Sequence, residues 1–262
     1  MILYKYVSFA SGLEILNSKT IGFSNPWDFN DPFEMVGCHA ILPNSAFAPL
    51  VLRSMMERSA VLSLTRSPLN PLMWAHYALN HSGFVIGWDA NVAGFTDESK
   101  NVIPAQYGNI IYTATRPMHP ELGTTTPMKY GEEYAFRAEL LEKLQRFFLY
   151  KAMCWSYEEE VRIVKCVFGD DLKTIPSGPL KKINVDGRPL FLAEFPTEAI
   201  KEIYVGVNNQ LVDHEESATV LQPWKHTAQL FECRFALNSW ELSTVEYGAN
   251  MGIKSTPLSR RD

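Results

Sequence analysis

The residues best suited to chemistry in this sequence are the acidic residues and the arginine of WSYEEEVR, which are Glu158, Glu159, Glu160 and Arg162. The β-branched residues that follow them predict a strand over 155–168. Because side chains alternate along a strand, the two outer glutamates and the arginine would project from one face, with Glu159 on the other. Neighbours on the shared face would lie roughly 6.5–7 Å apart.

Two interpretations of that face follow from the spacing. In the first, the carboxylates face a sugar-like substrate, where one stabilises positive charge at the anomeric carbon and the other orients a nucleophile. In the second, the face is solvated and Arg162 offsets Glu160, an exposed pair that contributes only about 0–1 kcal/mol. The spacing alone leaves both open.

A second group of polar and aromatic side chains lies on a helix predicted to start after Pro71 and to stop at Gly83. Its members are Trp74, His76, Tyr77, Asn80 and His81. His76 would lie beside Asn80, because residues four apart share a helix face, and Tyr77 would pair with the second histidine in the same way. The group is either functional, since a core face does not need two histidines, or a core helix whose histidines bond backbone carbonyls.

Motifs for metals and for the common nucleotide folds are absent from the sequence. The chain contains no HExxH, no CxxC pair and no His-rich run, so no metal cofactor is expected. It also lacks GxGxxG, GxxxxGK[ST] and GxSxG, which excludes the usual dinucleotide fingerprint, the P-loop and the hydrolase elbow. The four cysteines stand far apart, so a disulfide framework is not predicted.

The composition predicts an ordinary globular chain. Its 262 residues, 46% of them hydrophobic, suffice for one large domain, which we expect over 1–250 with a flexible tail over 251–262. The net charge of −5 provides no general attraction for nucleic acid or for an anionic membrane. Neither a secretory signal nor an apolar run of roughly 18 residues is present, so we expect a cytoplasmic protein without a membrane partner.

The elements that would position these side chains do not alternate regularly. Because the strands are not separated by regular long helices, we predict the α+β class, with mixed, mostly antiparallel sheets and flanking helices. The longest predicted helix, 132–153, would run directly into the acidic strand. The other predicted helices are 11–19, 46–58 and 210–221, and the other strands include 2–7, 20–24, 61–65, 84–89, 202–207 and a hairpin at Asp186-Gly187.

Four stretches in a fixed order resemble a known bacterial family. They are LYKYVS, FSNPWDFNDPFE, MWAHYALNHSGFVIGWD and KAMCWSYEEEVR, which together span Leu3 to Arg162. The family is numbered twenty-nine seventy-one among the domains of unknown function. Its name implies no activity.

A looser resemblance does imply an activity and a fold. A basic residue on the first strand, small hydroxyl residues on a middle strand and a late carboxylate-x-Glu strand are similar to the three-part signature of ADP-ribosyltransferases. The chain departs from it in having lysine where Arg or His is usual, and in lacking a clear Ser-Thr-Ser. The three parts would be Lys5 with Tyr4 and Tyr6, then Ser63 and Thr65 or alternatively Tyr77, then Glu160 with Glu158.

The resemblance implies NAD+ as the substrate, without a metal. Glu160 would stabilise the oxocarbenium-like state, and Glu158 would hold or activate the acceptor, which is left open among protein, nucleic acid, small molecule and water. Lys5 would neutralise a phosphate, and His76 and Tyr77 are further catalytic candidates. The expected nucleotide-binding residues are Tyr4, Lys5, Tyr6, Asn30, Asp31, Ser63, Thr65, Trp74, His81 and Arg162.

Two rival functions stay open. The first is a non-catalytic module that binds a nucleotide or a protein. The second is a nuclease or another hydrolase in phage defence, which would normally depend on a divalent metal ion. An ADP-ribosyltransferase in bacterial defence or toxin activity is the function we expect.

Overall fold

The computed structural model describes residues 1–31, 33–34, 46–115, 127–209 and 219–248. Within the predicted helix 210–221, residues 210–218 lie outside the described residues, and 219–221 form a helical turn. The expected tail over 251–262 also lies outside them. The described cysteines, Cys154, Cys166 and Cys233, are free thiols.

Twelve strands and four α-helices are present in the described part of the chain. The strands are β1 (Ile2–Val7), β2 (Thr20–Ser24), β3 (Ser59–Thr65), β4 (Phe84–Asp89), β5 (Ile111–Thr113), β6 (Tyr150–Ala152), β7 (Glu160–Cys166), β8 (Lys181–Val185), β9 (Arg188–Glu194), β10 (Ile200–Val205), β11 (Gln229–Phe235) and β12 (Leu242–Glu246). The α-helices are α1 (Phe9–Ser18), α2 (Ala48–Glu57), α3 (Pro71–Tyr77) and α4 (Leu141–Phe148). Short 3₁₀ helices include Pro26–Asp28, Ala138–Leu140 and Met153–Glu158.

Ten of these strands form one sheet in the order β12-β11-β10-β4-β1-β3-β2-β9-β8, with β7 paired to β3. All of its pairings are antiparallel except β10 with β11. The small second sheet pairs β5 and β6 in parallel. The predicted α+β class with a mixed, mostly antiparallel sheet and helices is therefore confirmed.

The sheet has a gap in its middle, between β1 and β3. β1 pairs with β4 along its whole length, from Ile2–Asp89 to Val7–Phe84, whereas its register with β3 is the single pair Tyr4–Thr65. β3 instead pairs along its whole length with β7. The strands β1 and β3 therefore separate from Thr65 back towards the start of β3, and the side chain of Lys5 reaches across this gap to the carbonyl of Ser63.

Hydrophobic side chains pack on both faces of this sheet. Along β7, Val161 and Ile163 belong to the cluster on one face, while Val164 packs with Phe147 of α4 on the other. Side chains two apart on a strand share a face. Glu160 and Arg162 therefore project to the α4 side of the sheet.

The longest predicted helix, 132–153, is wrong in its extent. The structure has a 3₁₀ turn and then α4, which ends at Phe148, and the next residues pair as β6 with β5. The backbone N–H of Leu149 still bonds the carbonyl of Gln145 at 2.8 Å, so the helix ends there. Strand pairing competes with helical periodicity at this point, and a sequence window shows only the periodicity.

The predicted acidic strand over 155–168 is also partly wrong. Residues Met153–Glu158 form a 3₁₀ helix, and Glu159 has left-handed backbone angles, with φ 46°. The strand β7 begins at Glu160. Strand alternation therefore does not carry Glu158 to its position.

The helix after Pro71 ends at Tyr77, well before the predicted stop at Gly83. Leu79, Asn80 and His81 have φ values of 48°, 53° and 66°, all left-handed. The predicted four-residue pairs on one helix face are therefore not formed. Among the described residues, no helix is long and apolar enough to cross a membrane.

Candidate functional site

A cavity of about 230 Å³ lies where β1 and β3 separate, and its wall is completed by β7, α3 and two 3₁₀ helices. It brings together residues that are far apart in the sequence. The expected site residues that line it are Tyr4, Lys5, Tyr6, Asn30, Asp31, Ser63, Thr65, Tyr77, Glu158, Glu160 and Arg162.

The structure does not bring three expected site residues to this cavity. Trp74 does not line the cavity but is fully buried in the hydrophobic cluster that also contains Tyr6 and Met73, and its Nε1 donates to the carbonyl of Pro68 at 2.9 Å. His81 stacks on that indole ring, with the ring centres 6.3 Å apart. His76 packs near the ring of Tyr157 instead of lining the cavity.

The ammonium of Lys151 is a central feature of the cavity wall. Its Nζ lies 2.6 Å from Glu158 Oε2, 3.0 Å from Glu160 Oε2 and 3.3 Å from Glu34 Oε1. The side chain is only 7% exposed. Three buried carboxylates thus converge on one buried cation.

Arg162 is the second cation of this cluster. Its Nε lies 2.7 Å from Glu160 Oε1, its second terminal nitrogen also contacts Glu34, and its first donates to the carbonyl of Phe148 at 2.7 Å. The guanidinium carbon lies 4.7 Å from the ring centre of Phe29. Glu160 and Arg162 are therefore not a solvated strand face, because both are buried and paired in several directions.

Glu158 is held by different elements. The hydroxyl of Tyr77, at the end of α3, donates to its Oε1 at 2.6 Å. Asn70, which caps α3, donates to the carbonyl of Tyr157 at 2.7 Å and so ties the 3₁₀ helix to α3. Glu159 points to solvent. The left-handed turn at Glu159 is what places carboxylates 158 and 160 side by side.

Charges in the cluster set the protonation of Glu160. Burial alone would raise its pKa, but the cations of Arg162 and Lys151 outweigh burial and hold the pKa at about 2. The charge of Glu160 in turn helps to raise the pKa of Lys151, against the effect of burial. Glu160 is therefore ionised, and Lys151 protonated, at neutral pH.

Lys5 differs from the other two cations. Its Nζ donates to the backbone carbonyl of Ser63 at 3.2 Å, across the gap between β1 and β3. Burial lowers its pKa to about 8, and the nearby Glu160 carboxylate offsets only part of that shift. The expected role of Lys5 in neutralising a phosphate stays a prediction.

The cavity has a negative balance of charge. Five acidic and three basic side chains line it, so the formal balance is two negative charges. Within the described ranges, no group of three or more His, Cys, Asp or Glu side chains is arranged to hold a metal ion. The arrangement suits a group that carries or develops positive charge next to ionised carboxylates.

Sequence reasoning missed several residues of the cavity wall. Lys151 fell inside the predicted long helix, and Glu34 follows a turn-rich loop that showed no periodicity. The available signal was the ordered stretches themselves, since FSNPWDFNDPFE ends in Glu34 and KAMCWSYEEEVR begins with Lys151. The missed lining residues are Ser24, Asp28, Phe29, Glu34, Val61, Leu64, Met73, Lys151 and Trp155.

Comparison with known protein families gives a match to the middle part of the chain. No curated protein and no solved structure matches the chain. A family model described as "Protein of unknown function (DUF2971)" matches residues 73–163. This range includes all but the first two residues of α3, all of β4, β5, α4 and β6, and all but the last three residues of β7. The resemblance carried by MWAHYALNHSGFVIGWD and KAMCWSYEEEVR is thus confirmed, and residues 73–163 match DUF2971.

Proposed function

We propose that this protein is an ADP-ribosyltransferase-like enzyme, which cleaves the nicotinamide–ribose bond of NAD+ and transfers ADP-ribose to an acceptor. The observation that carries the proposal is the meeting of Lys5, Ser63 and Glu160 in one cavity. They lie on the neighbouring strands β1, β3 and β7. An ADP-ribosyltransferase-like fold is part of the proposal, because its signature needs a basic residue, a hydroxyl residue and a glutamate on strands that meet at one cleft.

The charge of Glu160 supports this chemistry. When the bond breaks, its electron pair leaves with the nicotinamide nitrogen, and the ribose carbon becomes positively charged. An ionised carboxylate stabilises that state more than the ground state, which is the requirement for catalysis. With its pKa held at about 2, Glu160 has this charge at any physiological pH.

Glu158 is suited to the second half of the reaction. A lone pair of the acceptor forms the new bond to the ribose carbon, and the acceptor loses a proton. Glu158 would take that proton and pass it to solvent. Its Oε1 is oriented by Tyr77 and its Oε2 by Lys151, so its position is defined on both sides.

The hydrogen bonds already made by Glu160 leave room for a substrate hydroxyl. Its Oε1 accepts from Arg162 Nε, and its Oε2 from Lys151 and a terminal nitrogen of Arg162. A carboxylate offers about four lone-pair sites. The side chain of Ser63 also bonds this carboxylate, so a ribose hydroxyl can take the place of the Ser63 hydroxyl without displacing either cation.

The size of the cavity indicates which part of NAD+ enters it. Its volume of about 230 Å³ is smaller than the roughly 300–1,000 Å³ of pockets that enclose drug-sized ligands. The positively charged nicotinamide end would fit the negative balance of charge. The adenosine end would lie outside the cavity.

A non-catalytic binding module is the second candidate. The observation that favours it is the pairing of Glu160 with two buried cations, because a carboxylate so compensated exerts a weaker field on a substrate. In that case the cluster holds the cleft open for a ligand and performs no reaction.

The experiment that tests the proposal is incubation with millimolar NAD+, followed by mass spectrometry for free nicotinamide, with calorimetry for binding. The proposal expects binding and nicotinamide release, with ADP-ribose appearing in solution or on an acceptor. Binding without release would support the binding module instead. Absence of binding by NAD+, ADP-ribose and ATP would contradict both candidates as nucleotide sites.

A further inference from the structure

We propose that Lys151 is a positioning residue, which holds the carboxylates of Glu158 and Glu160 in place for the reaction. The inference rests on the proposed function for its activity readout, but not for its stability readout. Lys151 was not among the residues expected from the sequence.

The contacts of Lys151 distinguish it from the other cations in the cavity. Arg162 bridges Glu160 and Glu34. In the described part of the chain, the ion pair to Glu158 comes from Lys151, whose Nζ also reaches Glu160 at 3.0 Å. Lys151 is therefore the group that joins the two carboxylates to which the reaction assigns different roles.

Without that ammonium, two buried carboxylates would face each other with less compensation. Like charges in a shared site raise the pKa of one partner, and burial acts in the same direction. One of the carboxylates would then take up a proton or move away from the other. Both outcomes would spoil a site that needs Glu160 ionised and Glu158 oriented.

The backbone places Lys151 for this role. Lys151 is the middle residue of β6, and its partner across the parallel pair is Tyr112 on β5. The hydroxyl of Tyr112 accepts a hydrogen bond from the backbone N–H of Glu160 at 2.9 Å. The ammonium of Lys151 lies over the ring of Trp155, with its Nζ 5.2 Å from the ring centre. The two-stranded sheet thus delivers the cation and also anchors the start of β7.

The experiment is chemical rescue of Lys151→Ala with methylammonium, which restores the missing cation. We expect the variant to melt at a lower temperature and kcat for nicotinamide release to fall by about 10²–10³-fold, as on removal of one preorganised charge-stabilising group. Added methylammonium should raise both values in a saturable way. Tetramethylammonium, which has no N–H donor, should not.

Lys165→Ala is the matched control. Lys165 is also a buried lysine, but it lies on β7 and does not line the cavity. Its Nζ donates to the carbonyls of Lys100 and Ser177. Its removal should lower the melting temperature without lowering kcat beyond the loss of folded protein. Equal losses of kcat in both variants would overturn the proposal.

The pH dependence of kcat distinguishes a positioning role of Lys151 from a purely structural one, because a purely structural role would not change it. Loss of Lys151 removes one of the two cations that depress the pKa of Glu160, so the acidic limb of kcat should shift to higher pH. The other titratable or charged groups that act on this cluster are Lys5 from β1, Glu34, Tyr77 from α3, Tyr112 from β5, Glu158, and Arg162 from β7. These are unchanged in the variant.

Lys151→Gln keeps the test valid if Lys151→Ala does not fold, since it retains most of the side-chain length and two N–H donors without the charge. It should show the same shift of the acidic limb. An unshifted limb together with near wild-type kcat would overturn the proposal. If the wild type releases no nicotinamide, the proposed function fails separately, and saturable restoration of the melting temperature by methylammonium still decides the role of Lys151.

Discussion

At the scale of single residues, the candidate site depends on compensation among buried charges. Breaking a buried pair by removal of one partner costs roughly 3–5 kcal/mol, because the other charge is left unpaired. Glu160 has two such partners, Arg162 and Lys151. Substitutions at Glu160 therefore change stability as well as chemistry, and every activity measurement needs a folding control.

Acid unfolding should report the charge of Glu160. Its pKa is about 2 in the folded protein against an ordinary 4.5, so the unfolded chain takes up the proton first as pH falls. The stability that this group contributes is complete above about pH 4.5 and is lost as the pH falls towards 2. We expect the difference in unfolding free energy between wild type and Glu160→Gln to narrow across that window, measured by urea unfolding.

Glu159→Gln is the control for this titration, since Glu159 is exposed. Its unfolding free energy should follow that of the wild type at every pH. A difference between wild type and Glu160→Gln that stayed constant from pH 6 to pH 2 would contradict the assigned pKa.

The sequence was informative about residue types and less so about their partners. Glu158, Glu160 and Arg162 were expected to lie together and do, although the left-handed backbone of Glu159, not strand alternation, supplies the position of Glu158. Lys151 was missed because its contacts are long-range pairings that no local pattern contains. Trp74 was expected to bind the nucleotide but is a core side chain. A helix that buries an aromatic residue in the core and a helix that presents one to a ligand can have the same sequence pattern.

At the scale of elements, short strands and turns were predicted well where local signals were strong. The strands β1, β2 and β4 have the predicted bounds, and the hairpin between β8 and β9 turns at Asp186-Gly187, whose φ values are 51° and 82°. Helix extents were predicted less well, because the pairing of β6 with β5 ends the helical pattern. The predictions were wrong where the structure of one segment depends on its pairing with another segment that is distant in sequence.

A substitution at Gly108 tests whether the position of β7 determines the geometry of the site. A Cβ at this position would lie 1.9 Å from the carbonyl oxygen of Arg162, and the N–H of Arg162 bonds the Gly108 carbonyl at 2.8 Å. Gly108→Ala must therefore push β7 away. We expect a loss of about 1–3 kcal/mol by denaturant unfolding and a fall in kcat that exceeds the loss of folded protein.

Gly22→Ala is the matched control for that substitution. Its Cβ would meet the end of the Leu190 side chain at 2.9 Å, and that side chain can move. The variant should lose less stability and retain kcat per folded molecule. Similar losses of kcat in both glycine variants would show that the contact between Gly108 and β7 is not specific to the site.

At the scale of the whole molecule, the site is a local departure from the average properties of the chain. The net charge of −5 is spread over 262 residues, whereas eight charged side chains line one cavity of about 230 Å³. One sheet contains strands from both ends of the described chain, β1 (Ile2–Val7) and β12 (Leu242–Glu246). The site lies where the middle strands β1 and β3 separate. The order of the predicted strands and helices indicated the class of fold, but the separation of β1 from β3 depends on pairings across the whole chain.

Metal independence is a prediction for the whole molecule. The reaction as proposed uses the cations of Lys151 and Arg162 and the charge of Glu160, so nicotinamide release should persist in excess EDTA. The measurement is the initial rate before and after dialysis against the chelator, with added Mg²⁺ as the control. A complete loss that Mg²⁺ reverses would favour the nuclease or hydrolase alternative.

The most direct test of the central claim is nicotinamide release by three single variants, measured beside the wild type with melting temperature as the folding control. We predict that Glu160→Gln loses release by orders of magnitude per folded molecule while still binding NAD+, because each ~1.4 kcal/mol of lost transition-state stabilisation is tenfold in rate. Glu159→Gln should match the wild type. Glu158→Gln should fall between the two, with transfer affected more than hydrolysis. Equal rates in Glu160→Gln and Glu159→Gln, or release that depends on Glu159, would contradict the account.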